Sequence, residues 1–395
     1  MQNNGGDDLT LTADGHFDFG VRVPKDGAYE IQISKQPLWQ FCKISNSSGI
    51  AVTDTSEAKV VCTDAAAEVS TYAGTAGNVG SADGNGAQAS FNGASGVAVD
   101  KNGTLFVMEA TGRHVRAIDI NRNVTTFAGS GAPFSIDGTG IVAAFNNPHG
   151  IAIATSGDAY IAETGLFKVR TMTPGATVTT FAGNANSASI DGKGTTASFR
   201  SPYGIAVDDA GFLYVTDVSD HIIRKISPAG DVTTLAGSGA PGFSEGAGVS
   251  ASFDRPSGIA VDIAGNLLVC DTNNNRIRLV KPDGTVTTFA GSGALDVQDG
   301  AGVQASFFHP TGVAVDPEGN VFVAEGGGNV LRKITPTGVV TTIAGQAGFV
   351  GGADGVGSAA RFSQPEAIAI GADGSLFVSD STSNTIRKIV PVPVP

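Results

Sequence analysis

The 395-residue chain is short of charge, and above all of positive charge. Only 15% of residues are Asp, Glu, Lys or Arg, and 24 basic residues face 37 acidic ones, for a net charge of −13. A field of that sign repels phosphate backbones and anionic lipid, and no Lys/Arg block reverses it locally, so nucleic acid and membrane surfaces are poor partners. No apolar run approaches the roughly 20 residues needed to span a bilayer, and the opening "MQNNGGDDLT" has no hydrophobic signal core. Cysteine is scarce as well, with three residues. Cys42 and Cys62 flank a Ser/Asn/Gly-rich turn between two strand-like segments, where a disulfide would be worth up to about 3 kcal/mol to a small module. The alternative is two buried thiols. A bridge implies an oxidising compartment, hence secretion or the periplasm. Cys270, in "LLVCD", alternates with apolar neighbours as a small buried hydrophobe does.

What the chain has in excess is glycine, 55 residues, and 41% hydrophobic residues, a composition of folded, turn-rich β structure with few helices. It also repeats. The hexapeptide VSTYAG at 69–74 returns as VTTFAG at 124, VTTFAG at 178, VTTLAG at 232, VTTFAG at 286 and VTTIAG at 340. Between copies come a Gly-rich loop such as "DGKGTTASF", a "GIAVD" strand, a turn, an apolar run such as "FLYVTD", a polar turn and "IIRKISPAG". Four strand-like runs per unit describe a four-stranded meander that cannot bury both faces alone. Six such units arranged radially predict an all-β, six-bladed β-propeller over 66–395, with a period of about 54 residues. The last unit ends after three strands, at "TIRKIVPVPVP", so VSTYAG is predicted to supply its outer strand and close the ring. Residues 1–8 are expected to form a flexible leader and 9–65 a small β-sandwich module.

The segment Gly258 to Gly291, "GIAVDIAGNLLVCDTNNNRIRLVKPDGTVTTFAG", resembles an NHL repeat, and the resemblance covers about 69–395. It implies the propeller fold but not one function, because NHL proteins include extracellular scaffolds, sensor domains, RNA-binding domains and a few lyases.

Residues that recur in every unit point to structure. Glu109, Glu163, Asp217, Asp271, Glu325 and Asp380 each stand seven residues before Arg116, Arg170, Arg224, Arg278, Arg332 and Arg387, a spacing that suits a buried ion pair within each blade. His221, like Asn275, Asn329 and Asn384, occupies a turn position. Loops of the form acid-Gly-x-Gly offer one carboxylate each and no following Lys, too little for an EF-hand or a P-loop; the acid is expected to start a short helical turn and the Phe to plug the gap between blades.

A site is sought where the repeat breaks. At the start of the inner strands the units read "NGASG", "NNPHG", "RSPYG", "DRPSG", "FHPTG" and "SQPEA", which brings His149, Tyr203 and Glu366 to the channel mouth, with Arg255, His309 and Gln364 one position earlier. Two readings follow. In the first, an exported or surface-tethered monomer binds a protein or a glycan on this face, without a cofactor. In the second, His149, Tyr203, His309 and Glu366 build a lyase or hydrolase site with a metal, zinc or calcium; zinc-dependent NHL-like lyases resemble it in outline, but two His at different registers leave Glu366 as the third ligand. No Ser, Cys or Lys sits in a nucleophile motif, and no catalytic residue is assigned.

Overall fold

A computed structural model describes residues 1–11, 15–52 and 58–394. The chain divides into two compact units. One holds Met1–Ala66 with the residues from Pro391 on, the other Ala67–Val390.

In the first unit, β1 (Gln2–Asn3), β2 (Ala28–Gln32) and β4 (Ser48–Ile50) form a three-stranded sheet, and β3 (Gln40–Ser45) pairs with β5 (Lys59–Asp64). The expected leader is therefore partly a strand: Gln2 and Asn3 pair with Gln32 and Ile31, and the Met1 amine donates to the Leu9 carbonyl. Few apolar side chains are buried here, chiefly Ile31, Trp39 and Cys42. Cys42 stands directly opposite Cys62 and is bonded to it.

The second unit contains, among the described residues, six five-stranded antiparallel sheets. The first sheet shows the plan. Its inner strand is β8 (Ala94–Val99), followed outward by β9 (Leu105–Glu109), β10 (His114–Ile118) and β11 (Asn123–Ala128), with the two-residue β7 (Gly84–Asn85) outermost. The inner strands of successive sheets, which begin at Ala94, Pro148, Pro202, Pro256, Pro310 and Pro365, neighbour one another in order, and the last neighbours the first. The sheets thus stand as propeller blades around an axis. Proline is tolerated at these positions because the first residue of a strand need not donate to the ladder.

Closure follows the count of strands, with one correction. The orphan copy lies in β6 (Ala66–Ala73), which enters the sixth sheet beside Thr385–Val392. It is the fourth strand rather than the outermost, because Gly355–Val356 pairs outside it through Val69 and Glu68.

Adjacent blades share apolar cores. Phe145, fully buried, packs with Ala98, Met108 and Val115 of the first sheet and with Ile161 and Met172 of the second, and the pattern recurs around the ring. Each such Phe lies under a buried arginine: the guanidinium carbons of Arg116, Arg170, Arg224, Arg278, Arg332 and Arg387 stand 5.2–5.7 Å from the ring centres.

Those arginines pair with the acid seven residues earlier in five blades. The contacts are 3.0 Å for Glu109, 2.7 Å for Glu163, 2.7 Å for Asp271 and 3.5 Å for Asp380, with Glu325 bonded to Arg332 as well. The third blade departs from the expectation. Asp217 accepts instead from the Ser189 hydroxyl and the Arg200 and Ser201 amides, and Arg224 turns to Asp191 at 2.8 Å. Asp191 belongs to a set that the sequence reading misassigned. The loop acids Asp83, Asp137, Asp191, Asp299 and Asp354 do not cap the short helical turns, which begin three residues later and have other residues at the N-cap. Each lies 33 residues before its arginine and bonds it at 2.6–2.8 Å. Five arginines thereby bridge a loop to the ladder. In the fourth blade Glu245 accepts from the Thr288 amide instead.

Candidate functional site

The channel mouth is built by β-bulges. In the second blade Pro148 pairs with Glu163 and Ile151 with Ile161, so His149 and Gly150 together oppose Ala162. The same irregularity falls at Tyr203 and Gly204, at Ser257 and Gly258, and at Glu366 and Ala367. A bulge breaks strand alternation and re-aims a side chain, here toward the axis. Glycine is required next to it because the neighbouring inner strand comes so close: a Cβ on Gly258 would lie 2.5 Å from the Thr311 carbonyl oxygen.

Three side chains converge on the mouth. Tyr203 and Glu366 belong to the third and sixth inner strands, on opposite sides of the ring, and the Tyr203 hydroxyl donates to Glu366 Oε1 at 2.6 Å. The pair forms a bar across the channel. His149 stacks on Tyr203, with ring centres 4.2 Å apart and planes 26° from parallel. Its Nδ1 is buried and has no hydrogen-bond partner; it stands 3.5 Å from Glu366 Oε1, an ion-pair distance rather than a formed hydrogen bond.

Electrostatics differentiate the three. Burial pushes the Glu366 carboxyl up, but His149, the Tyr203 hydroxyl and Ser381 outweigh it and hold the group below its ordinary value. Burial, then the Glu366 charge, push the Tyr203 phenol well above its ordinary value. At neutral pH the bar is a phenol donating to a carboxylate.

The other expected mouth residues lie elsewhere. Arg255 and His309 do not line the cavity. Both adopt left-handed backbone, at φ 53° and 48°, which turns the chain ahead of the inner strand. Their amides are held by the preceding blade, Arg255 by His221 Nδ1 at 3.0 Å and His309 by Asn275 Oδ1 at 3.1 Å. His221 and the Asn residues are thus clasps between blades as well as turn residues: Asn329 and Asn384 do the same for Gln364 and Gly93. The His309 ring packs on Phe308. With His309 removed, His149 and Glu366 have no third ligand, and no group of three His, Cys, Asp or Glu suited to a metal occurs among the described residues.

His149, Tyr203 and Glu366 share one cavity of about 80 Å³ with a ring of Val97, Ile151, Ile205, Ile259, Val313 and Ile368. These β-branched residues stand two positions beyond the mouth residues, on the same side of each inner strand, and each remains 6–7% exposed to the channel.

The model of the NHL repeat matches residues 253–278, which run from the inter-blade Phe253 to the buried Arg278 of one complete repeat core. The chain thus carries an NHL repeat there. NHL repeat-containing protein 2 of Bos taurus is 28% identical over 268 residues, covering 58% of this chain and 36% of that protein. The NHL propeller described here spans only about a third of that relative. Among solved structures, an auxiliary nutrient binding protein from Bacteroides thetaiotaomicron superposes with a TM-score of 0.61 at 19% identity, covering 82% of this chain and 76% of the other. A streptogramin B lyase superposes with a TM-score of 0.53 at 14% identity, covering 82% and 98%. At these identities the likeness is one of fold. No helix among the described residues of the NHL propeller is long and apolar enough to cross a membrane.

Proposed function

We propose that the protein is an exported or cell-surface propeller that holds a ligand, a protein or a glycan, on its loop-bearing face around the channel mouth. One observation carries the reading. Recurring polar residues are consumed by intra-blade ion pairs and inter-blade clasps, whereas His149, Tyr203 and Glu366 are non-equivalent, converge on one axis and leave polar atoms unspent. The disulfide supports an oxidising compartment, and a nutrient-binding neighbour of the same fold supports a binding role. The lyase neighbour keeps the enzymatic alternative in view, but His149 and Glu366 alone make an incomplete metal site.

The test is a screen of the chain against glycans and cell-surface extracts, repeated with His149→Ala and Glu366→Ala. A binding face loses affinity in steps. A product-forming activity that collapses by orders of magnitude in both variants would replace this reading with the enzymatic one.

A further inference from the structure

We infer that the channel mouth recognises a primary alkylammonium group, with the nitrogen at the bar and the aliphatic stem in the ring below; the inference rests on the reading that this face binds a ligand. Three acceptors converge there. Glu366 is a carboxylate with no Lys or Arg ion-pair partner among the described residues, His149 Nδ1 is buried without a hydrogen bond, and the Tyr203 oxygen, having donated its proton to Glu366, still carries lone pairs. An ammonium has three donors and no acceptor, so it can reach all three at once, His149 accepting through Nδ1. The stacked imidazole and phenol add π faces that favour a cation.

The hydroxyls among the remaining mouth residues offer nothing to an anion. The hydroxyls of Ser95, Ser257 and Thr311 are turned into the walls, where Ser95 reaches the Pro148 carbonyl at 3.3 Å, Ser257 the Thr311 carbonyl at 3.0 Å and Thr311 the Pro365 carbonyl at 2.9 Å. Arg255 is exposed and outside the lining, although its charge reaches Tyr203. Two positions beyond each mouth residue the lining side chain is aliphatic. A cavity of about 80 Å³ shared by the bar and the ring suits a short aliphatic stem. The chemistry is that of a free short-chain amine or of a lysine side chain on a docked protein.

Calorimetry on the full chain at neutral pH, with n-propylammonium chloride against 1-propanol at matched ionic strength, tests this directly. Saturable one-to-one binding of the ammonium and none of the alcohol is expected, with affinity roughly tenfold or more weaker in Glu366→Gln, since a charge-assisted bond is lost. Should that variant melt early, Ile259→Phe, which fills the ring from below, is expected to abolish binding in its place. Equal binding of 1-propanol, no saturable heat from the ammonium at tens of millimolar, or a Glu366→Gln affinity within about twofold of the parent overturns the inference. Nα-acetyl-lysine methylamide binding that its Nε-acetyl form lacks assigns the lysine source; binding of the simple amine alone assigns the free amine. A screened ligand that depends on Glu366 but is not displaced by the ammonium overturns the inference alone. A screen in which no ligand depends on the mouth overturns the reading beneath it.

Discussion

Removing β6 tests the closure of the ring. This strand arrives from the far end of the sequence and buries Ala67, Val69 and Ala73 completely in the sixth blade. Tyr72 packs edge-on against Phe377, with ring centres 5.1 Å apart, and the Thr71 hydroxyl bonds the Asp354 carboxylate at 2.9 Å. Burying a valine contributes about 1.5–3 kcal/mol and the partly buried Tyr72 about 1 kcal/mol. The aromatic pair adds about 0.5–1.5 kcal/mol. Several ladder hydrogen bonds contribute about 0.5–1.5 kcal/mol each, against the entropy of ordering the segment. The loss is of the order of a few kcal/mol, concentrated where Thr385–Val392 would otherwise expose an unpaired edge. Guanidinium unfolding of two truncations measures it. Deleting residues 1–65 retains the strand and is expected to leave the propeller transition in place, whereas deleting 1–74 is expected to lower it by that amount and to promote association through the open edge. A synthetic peptide of residues 66–75 should restore the transition of the longer deletion in a concentration-dependent way. Coincident midpoints for the two truncations would refute the closure.

The buried arginines should respond unequally to loss of their two carboxylates. Arg170→Met leaves Glu163 buried and unpaired and is expected to cost about 3–5 kcal/mol, whereas Asp137→Ala removes a carboxylate that is 52% exposed and is expected to cost about 1 kcal/mol or less; thermal unfolding of both variants checks the ranking. Burial pushes the Glu325 carboxyl up to about 7 against its partner Arg332, which still favours the charged form. The folded chain therefore keeps a proton that the unfolded chain has already released, so this group's contribution is fully present below about pH 4.5 and is lost as pH rises toward 7; relative to Glu325→Gln, the parent should lose stability across that window in a pH series of melting curves. Reducing the Cys42–Cys62 bond, or replacing Cys42 with Ser, should destabilise the N-terminal unit by about 3 kcal/mol and leave the propeller transition unmoved, as differential scanning calorimetry would show.

Repetition decides what a single sequence can disclose here. Anything that recurs six times is legible, because spacing substitutes for coordinates: the strands, the missing strand at the end, the inter-blade phenylalanines and the acid seven residues before each arginine. The loop carboxylate that five of the arginines bond was equally periodic, at 33 residues, but a pairing between a loop and a later strand has no local pattern to mark it. Asp217 shows the opposite limit. Its spacing to Arg224 matches the other blades, yet two backbone amides and a serine compete for the carboxylate, and the arginine has an alternative in Asp191. At the mouth, His149, Tyr203 and Glu366 were readable as breaks in the repeat. Arg255 and His309 were misplaced because the sequence does not declare which residue of "RPSG" or "HPTG" takes left-handed backbone and which falls in the bulge. The Pro-x-Gly pattern is the signal that was available: proline starts the strand, glycine yields to the neighbouring carbonyl, and the residue between them is the one aimed at the axis.

That division of labour bears on function. Serine or threonine at the aimed position satisfies itself by bonding to the next blade, as Ser257 and Thr311 do, and leaves no polar atom for a ligand. Histidine, tyrosine and glutamate are too long to turn back into the wall, so they meet one another across the axis. The resulting cluster leaves the buried Nδ1 of His149 without a hydrogen bond, a deficit that burial makes costly unless a ligand or water fills it. Changing the mouth to the hydroxyl pattern, by His149→Ser, Tyr203→Ser and Glu366→Thr together, should therefore preserve or raise the melting temperature while removing ligand affinity. A triple variant that instead unfolds several degrees earlier would mean that the bar holds the ring together, and the polar cluster would have to be read as structure.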